Sequence, residues 1–382
     1  MSGSLRQGHE QGQGQGHGQG QGAGQARTRE VQHRQGPGNP PSAEPAAAQP
    51  VKGRSARSLT DLVLRVRELS IGGALVLLIL GTWLVNPGFL DEQGVRDLLL
   101  NSAILVLLAT GQSVVVLTRN IDLSVGSVVG LTAFACGSFV SGTQHSAPAV
   151  VLLGTALGVL CGLVSGLLVS FGRVPALVVT LGMLYVIQGV GHVWAHGRQI
   201  NAANVPDGVL EMGSGSVLGV PYLPLISAVV LAATAYYLRT YRSGRELYAI
   251  GSNPEAARLA GIPVRRRVLA AYAFSGAVAG FAGALWLARF GTVVADAANG
   301  WELTVVSAVV VGGVAITGGV GTVWGAALGA LLLTTIGSAL VVLKVNPFWE
   351  QAITGVLLLA AISADRVVRS RTTEALRKRS RH

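Results

Sequence analysis

The chain has 382 residues, a net charge of +11 and an apolar content of 50 %. From about residue 68 it carries ten long apolar runs, and about 20 apolar residues are enough to cross about 30 Å of hydrocarbon. This excludes a soluble globular protein. The basic residues lie in the N-terminal tail, one loop and the C-terminus rather than on a folded basic module, which argues against nucleic acid as a partner.

The N-terminal region differs in composition from the rest of the chain. Residues 1–60 are rich in Gly and Gln and show neither helical nor strand periodicity, so they are predicted to form a disordered tail. No apolar stretch follows the early basic residues, so the tail does not resemble a signal peptide. A transmembrane domain over 61–365 and a basic tail over 366–382 complete the predicted organisation.

The apolar runs predict an all-α, polytopic transmembrane bundle of ten spans. The eighth span is short and Gly-rich, which indicates a broken or re-entrant element near 304–321, tolerable only where protein buries it. The predicted spans are 69–86, 98–117, 123–141, 149–171, 175–195, 222–238, 268–290, 304–319, 322–343 and 348–364.

Lys and Arg in the loops indicate the orientation. With a cytoplasmic N-terminus, ten alternating spans place all but four of the Lys and Arg residues from residue 52 onward on the cytoplasmic side. An odd number of spans would break this bias at the C-terminus, so both termini are predicted to be cytoplasmic in a plasma-membrane protein. The four exceptions are Arg96, Arg198, Arg289 and Lys344.

Small residues predict close packing within the bundle. The fourth span carries glycine at every fourth position, and shorter pairs at the same spacing follow in later spans. Cys136 and Cys161 lie inside apolar runs and are interpreted as packing residues. The glycines are Gly154, Gly158, Gly162, Gly166, Gly276, Gly280, Gly325 and Gly329.

No covalent chemistry is indicated, so the chain is not predicted to be an enzyme. A phosphate-binding loop is missing, because no Gly-Lys pair occurs anywhere. His192 and His196 have helical spacing but no acidic residue between them, which argues against a metal site. The charged residues near the spans (Asp122, Arg289, Glu302 and Glu350) fall at predicted span ends. This pattern argues against an ion-coupled carrier and favours an energy source outside this chain.

The longest basic loop, residues 239–267, contains signals for a short helix capped at both ends. Asn253 is a good N-cap, Pro254 suits the first helical position and Glu255 suits the positive end of the helix dipole. Gly261 supplies the C-cap and Pro263 stops the helix. Such a helix fits either a surface connector or a rigid element that docks into a partner's groove.

Several motifs resemble the permeases of ATP-binding cassette (ABC) importers for ribose, xylose, arabinose and rhamnose. They are IDLSVGS at 121–127, VPALVVTLGM at 174–183, the Gly-rich stretch at 312–325 and the capped loop itself, all in the family's order within 68–365. The stretch TRNID at 118–122 is more similar to the rhamnose and autoinducer-2 branch than to the ribose branch. The Gly/Gln tail and the strongly basic C-terminus are not features of this family.

The resemblance implies a ten-span permease subunit that binds no cofactor, because ATP is hydrolysed by a partner. It also implies three partners besides membrane lipid, namely an ABC ATPase subunit, a second permease chain of the same or another kind, and an extracytoplasmic sugar-binding protein. By the same analogy the family signature comprises Asp122, Ser124 and Gly126. The residues that would contact the ATPase are Asn253, Pro254, Glu255, Ala256, Arg258 and Gly261.

The sequence indicates a substrate path only through residue type. We expect Asp122, with Ser124 nearby, to cap the third span rather than to bind sugar. Amide and hydroxyl groups facing a shared cavity are candidates for a path, although each equally fits a bond to a neighbouring helix. They are Asn101, Gln112, Gln188, Thr304 and Ser307.

The favoured function is import of a rhamnose-like sugar or a pentose. An ABC permease for branched-chain amino acids, nucleosides or autoinducer-2 remains an alternative, because such permeases share a related membrane fold. A self-contained carrier or channel and a purely structural membrane protein also remain open.

Overall fold

The computed structural model describes residues 54–142, 146–346 and 348–363, with side chains from Glu68 onward. Most of the predicted N-terminal tail and the whole basic tail 366–382 lie outside these residues. The first helix already includes 54–60, which the sequence assigned to the tail.

The described residues form thirteen α-helices, two short 3₁₀ helices and one small hairpin. The 3₁₀ helices are Pro87–Leu90 and Ala202–Asn204, and the strands are β1 (Ser216–Val217) and β2 (Val220–Pro221). The helices are α1 (Arg54–Val85), α2 (Glu92–Leu117), α3 (Val125–Val140), α4 (Ala147–Ser170), α5 (Ala176–Ala195), α6 (Asp207–Ser214), α7 (Tyr222–Thr240), α8 (Arg242–Ser252), α9 (Pro254–Leu259), α10 (Val264–Phe290), α11 (Trp301–Val311), α12 (Val323–Val342) and α13 (Trp349–Ser363).

Ten of these helices correspond one to one with the ten predicted spans. Among the described residues, seven helices are long and apolar enough to cross a membrane, namely α1, α2, α4, α5, α7, α10 and α12. The apolar helices α3, α11 and α13 are shorter. The prediction of an all-α polytopic membrane protein is therefore confirmed.

Helices α2 and α10 form the centre of the bundle. Of the most apolar 18-residue stretch of each helix, 89 % is buried in α2 and 11 % in α1. Helix α2 therefore lies inside the bundle and α1 at its periphery. Large apolar side chains on α4, α5 and α7 are exposed, for example Leu152, Tyr185 and Val229. A bilayer or a partner chain therefore surrounds these outer helices, because water would not solvate such surfaces favourably.

The predicted glycine ladder packs α4 directly against α10. A Cβ atom on Gly158 would overlap the carbonyl oxygen of Gly276, and a Cβ atom on Gly276 would overlap that of Gly158. Gly154 and Gly280 form the same kind of contact one turn away. Backbones approach this closely only where side chains are missing, so the ladder fixes the position of these two helices.

Two helices begin inside the bundle instead of at its surface. At 1.5 Å per residue, α3 is about 24 Å long and α11 is about 17 Å long, both less than the hydrocarbon thickness. Their first turns meet, because a Cβ atom on Gly126 would lie 3.3 Å from the Glu302 backbone nitrogen. The non-helical segments before these helices, residues 118–124 and 291–300, therefore complete the span.

The expected break near 304–321 is present. Helix α11 ends at Val311, and residues 312–322 contain no helix before α12 begins. Four glycines in this Gly turn (residues 312–322) have positive φ, namely Gly313, Gly318, Gly319 and Gly321. Such a backbone conformation is open to glycine at little steric cost, so the glycines create the break.

Three elements were missed by the sequence analysis: α6, the hairpin and α8. The hairpin turns at Leu218 and Gly219, whose φ values of 51° and 82° indicate a type I′ turn. Helix α8 carries polar and charged residues on one face, so it was interpreted as loop. Its apolar face packs on the bundle through Leu247 and Ile250, which are 4 % and 1 % exposed.

Candidate translocation and coupling sites

Helix α9 has the N-terminal cap that the sequence predicts. The Asn253 side-chain oxygen accepts hydrogen bonds from the backbone N–H groups of Glu255 and Ala256, both at 3.1 Å. Pro254 occupies the first helical position, where its missing N–H leaves no gap in the helix. Two of the first free N–H groups are therefore satisfied by one side chain.

The other end of α9 closes in a Schellman motif. Gly261 has a φ of 78°, and its N–H donates to the Arg258 carbonyl at 3.0 Å. The Ile262 N–H donates to the Ala257 carbonyl at 3.0 Å, which completes the pattern. No described atom lies within 4 Å of a Cβ atom built on Gly261, so glycine is needed there for its conformation rather than for space.

The outer face of α9 is free of contacts with the bundle. Leu259 is 85 % exposed, whereas Ala257 on the inner face is 4 % exposed. Glu255 and Arg258 form an exposed ion pair at 2.7 Å. The helix thus presents one apolar side chain and a carboxylate–guanidinium pair on a rigid support.

Helix α8 connects α9 to the transmembrane helices. A Cβ atom on Gly251 would overlap the Leu117 carbonyl at the end of α2 and the Gly319 N–H in the Gly turn. The Tyr248 hydroxyl donates to the Gly321 carbonyl at 3.2 Å. A displacement of α8 would therefore reach both α2 and the break between α11 and α12.

A buried carboxylate anchors α8 to α10. Glu246 accepts hydrogen bonds from Arg267 at 2.6 Å and from Arg242 at 3.0 Å. The hydrogen bond from Arg267 lowers the pKa of Glu246 below its ordinary value, in opposition to its burial, which raises the pKa. Glu246 is therefore held as a carboxylate between two guanidinium groups.

The signature residue Asp122 lies in a fully bonded cluster inside the bundle. One carboxylate oxygen accepts from the Ser124 N–H at 3.0 Å and from its hydroxyl at 2.6 Å. The other oxygen accepts from the Ser275 hydroxyl at 3.2 Å. The Tyr272 hydroxyl holds the preceding residue by donating to the Ile121 carbonyl at 3.3 Å.

Gln112 belongs to the same cluster. In the amide orientation that satisfies both partners, its side chain pairs with the backbone N–H and C=O of Asp122, both at 3.2 Å. Gln112 is fully buried, and the candidate path residue is therefore a structural clamp between α2 and the segment before α3. Asp122, Gln112 and Ser275 leave little bonding capacity for a solute.

Two expectations about Asp122 need correction. Helix α3 begins one residue after Ser124, so Ser124 is its N-cap and Asp122 bonds to the N-cap residue instead of to the first turn. Asp122 and Glu302 are also 2 % and 9 % exposed, and Asp122 faces Ser275, about 16 Å along α10. The interpretation that both lie at the ends of spans was wrong, because α3 and α11 themselves begin inside the bundle.

The opposite end of the bundle contains a cavity of about 500 Å³ between α2, α11, α12 and α13. Its wall combines aromatic rings with carboxylate, amide and hydroxyl groups. The rings are Phe89, Phe290 and Trp301, and the polar lining residues are Asp97, Asn101, Thr304, Thr334, Ser338 and Glu350.

Of the five candidate path residues, only Asn101 and Thr304 line this cavity. Gln188 donates to the Asn299 side chain at 3.2 Å, and Ser307 is 1 % exposed within α11. Four further lining residues were not among the predicted candidates. Asp97 and Glu350 are carboxylates, a class that the candidate list did not include. Thr334 and Ser338 reach the cavity only because α12 packs against α2, which residue type does not reveal. The only sequence feature that could have indicated these lining residues is a polar side chain near the outer end of a predicted span.

His192 and His196 take part in the C-terminal end of α5, where the His196 N–H donates to the His192 carbonyl. His196 caps the helix with a φ of 48°, and its ring nitrogen Nδ1 lies 3.2 Å from the Trp194 carbonyl oxygen. Within the described ranges no group of three His, Cys, Asp or Glu side chains is placed to hold a metal ion.

A polytopic helical bundle with a polar cavity at one end and an exposed, doubly capped helix at the other defines a membrane permease. A family model confirms this class: the one described as branched-chain amino acid transport system / permease component matches residues 94–362. The chain belongs to this family of permease components.

Curated relatives agree. The chain is 36 % identical over 311 residues to the autoinducer 2 import system permease protein LsrC of Enterobacter sp. (strain 638), covering 81 % of this chain and 90 % of that protein. The LsrC protein of Klebsiella pneumoniae is 36 % identical over 303 residues, covering 79 % and 87 %. That of Escherichia coli (strain K12 / DH10B) is 34 % identical over 317 residues, covering 82 % and 90 %. No solved structure matches the chain.

These matches confirm the resemblance to ABC importer permeases on the autoinducer-2 side of the predicted branch. The matching proteins are permease components of transport systems, which form passages rather than catalyse reactions.

Proposed function

We propose that the chain forms the membrane passage of an ABC importer for autoinducer-2 or a related monosaccharide. The observation that carries the proposal is α9, which is rigid, exposed and capped at both ends. A helix whose outer face makes no contact with its own bundle is suited to dock into the groove of a partner. The resemblance to ABC importer permeases implies the class of that partner, an ATPase subunit.

The proposed orientation places α8 and α9 in the cytoplasm and the 500 Å³ cavity on the outer side. The Arg-rich segment that contains both helices supports this choice, because Lys and Arg accumulate in cytoplasmic loops. A binding protein would then deliver solute to the cavity, and ATP-driven motion of α9 would reach α2 and the Gly turn through Gly251 and Tyr248.

The cavity favours a hydroxylated solute over a branched-chain amino acid. Asp97, Asn101 and Glu350 accept hydrogen bonds from hydroxyl groups, and Trp301 and Phe290 offer flat apolar faces. Asp97 and Glu350 are only half-buried, so an aliphatic side chain would keep water from these carboxylates without replacing its hydrogen bonds, whereas hydroxyl groups would replace them. Rhamnose and pentoses therefore stay candidates beside autoinducer-2.

Uptake by a strain that lacks this chain tests the substrate class. We expect loss of uptake of labelled autoinducer-2 or of one sugar among rhamnose, ribose and xylose, restored by the wild-type chain. Labelled leucine and a nucleoside serve as controls. Loss of leucine uptake alone would contradict the proposal, and solute movement by the purified chain in liposomes without ATP would support a self-contained carrier.

The coupling role of α9 is tested by Glu255→Arg. This pair is exposed and contributes at most about 1 kcal/mol to stability, so folding should persist. We expect the variant to lose co-purification with the ATPase subunit and solute-stimulated ATP hydrolysis. The matched control is Glu211→Arg, an exposed glutamate on α6 at the other end. Equal co-purification of wild type and Glu255→Arg would reduce α9 to a connector.

A further inference from the structure

A second cavity, separate from the proposed passage, lies at the α8–α9 end between α2, α7, α8 and α10. It has a volume of about 400 Å³ and forms a groove on the membrane-facing surface, where Val229 is 68 % exposed. Small side chains at Ala233, Ala270 and Ala271 create its width. It extends over about 10–12 Å of α7 and α10, judged from the helical rise per residue.

The groove offers almost no hydrogen-bonding capacity along its length. The Thr234 hydroxyl already donates to the Val230 carbonyl at 2.7 Å, and the Tyr237 hydroxyl donates to Ser243 at 2.8 Å. The remaining wall is apolar apart from Arg267. A water-filled or sugar-filled groove is therefore unfavourable, whereas an apolar chain would fill it without leaving polar groups unpaired.

Positive charge is concentrated at one end of the groove. Arg267 lines it and binds Glu246 through Nε at 2.6 Å. Among the described residues its hydrogen bonds use Nε alone, so its two terminal amino groups retain donor capacity. Arg242 shares the same carboxylate, and Arg245 lies beside it and donates to the carbonyls of Arg239 and Thr240. Two arginines, Arg267 and Arg242, thus share one glutamate, which leaves the pair of guanidinium groups with an excess of positive charge.

We propose that this groove binds one acyl chain of an anionic membrane phospholipid whose phosphate is held at the Arg267 end. The apolar groove takes the chain, and the excess of arginine over glutamate selects a headgroup with net negative charge. The site is independent of the proposed substrate, because it shares no lining residue with the outer cavity.

Lipid retention by the purified full-length chain tests the site. The protein is reconstituted in equal parts of phosphatidylcholine and phosphatidylglycerol, extracted, and analysed by native mass spectrometry for tightly bound lipid. We expect the wild type to retain phosphatidylglycerol several-fold over phosphatidylcholine. Ala233→Trp fills the groove and should abolish this retention. Ala232→Trp is the matched control, because Ala232 is exposed on the same helix but does not line the groove.

Two charge variants test the headgroup contact with opposite signs. Arg267→Gln removes one positive charge while Arg242 still pairs with Glu246, so phosphatidylglycerol retention should fall about fivefold, the effect expected of one arginine near an anionic surface. Glu246→Gln releases both arginines and should raise retention. A purely structural ion pair would change retention in the same direction in both variants.

Each of the following results would overturn the proposal. Wild type that retains both lipids equally lacks the headgroup contact. Equal loss in Ala232→Trp and Ala233→Trp, or a shared direction of change in the two charge variants, removes the site. Absence of bound phospholipid from the purified permease pair would assign the groove to the second permease chain.

Discussion

At the residue scale, single side chains in this protein act mainly by bonding backbone groups just before helices or in their first turns. Asp122 and Gln112 bind the segment before α3, and Asn253 binds the start of α9. These bonds matter inside the bundle, because a backbone N–H or C=O group left unpaired in an apolar environment costs several kcal/mol. Gly126 belongs with them, since its missing Cβ lets α3 approach the Ala298 carbonyl.

Glu246 predicts an acid-dependent stability. Its pKa is lowered in the folded protein, chiefly by the hydrogen bond from Arg267, so its contribution is complete above the ordinary value of 4.5 and disappears as pH falls through the lowered value. We expect the unfolding midpoint of the wild type in detergent to decrease as the pH falls below the ordinary value of 4.5. Glu246→Gln should start lower at neutral pH and lose less over that range. Parallel curves for the two proteins would refute this assignment.

At the element scale, close backbone contact and broken helices determine the bundle. Helices α4 and α10 meet through glycines, whereas α3 and α11 gain their positions from non-helical segments that enter the bundle. Helix α8 touches both the end of α2 and the Gly turn. Under the proposed coupling, these contacts make it the link between α9 and the transmembrane helices.

The glycine contact between α4 and α10 gives a direct stability prediction. Gly158→Leu would place a side chain against the Gly276 carbonyl, and we expect a loss of about 3 kcal/mol or more in the free energy of unfolding, at the upper end for overpacked cores. Denaturant titration in detergent measures it. The control is Gly182→Leu on α5, where a Cβ atom meets nothing within 4 Å and leucine improves helix propensity. Similar losses in both variants would show that the α4–α10 glycine contact does not stabilise the fold more than an exposed glycine does.

At the scale of the whole molecule, the two ends of the bundle differ in chemistry. One end carries the arginine-rich α8–α9 segment and the other carries the polar cavity, the hairpin and α6. This polarity matches a passage that receives solute at one face and mechanical work at the other, as proposed for the importer.

The predicted topology is open to a reporter experiment. With ten spans and both termini cytoplasmic, alkaline phosphatase fused after His382 should be inactive, and the same enzyme inserted at the exposed turn of Leu218 and Gly219 should be active. The reason is that this enzyme folds only outside the cytoplasm, while Lys and Arg keep the basic loops inside. Activity at both positions would require an odd number of spans.

The apolar helices of the bundle, the break near 304–321 and both caps of α9 were predicted from the sequence alone. Each depends on local properties: apolar run length, glycine at positive φ, and side chains that bond within three residues of their own position. The family resemblance likewise rested on short contiguous motifs.

Only the tertiary structure decided which polar residues line the same cavity. Gln112 and Thr304 are equally plausible path residues by type, yet Gln112 clamps Asp122 and Thr304 lines the outer cavity. Asp97 and Glu350 meet there although 253 positions separate them along the chain. Helix pairing depends on the complementary surfaces of distant segments. Neither periodicity nor residue type encodes those surfaces locally.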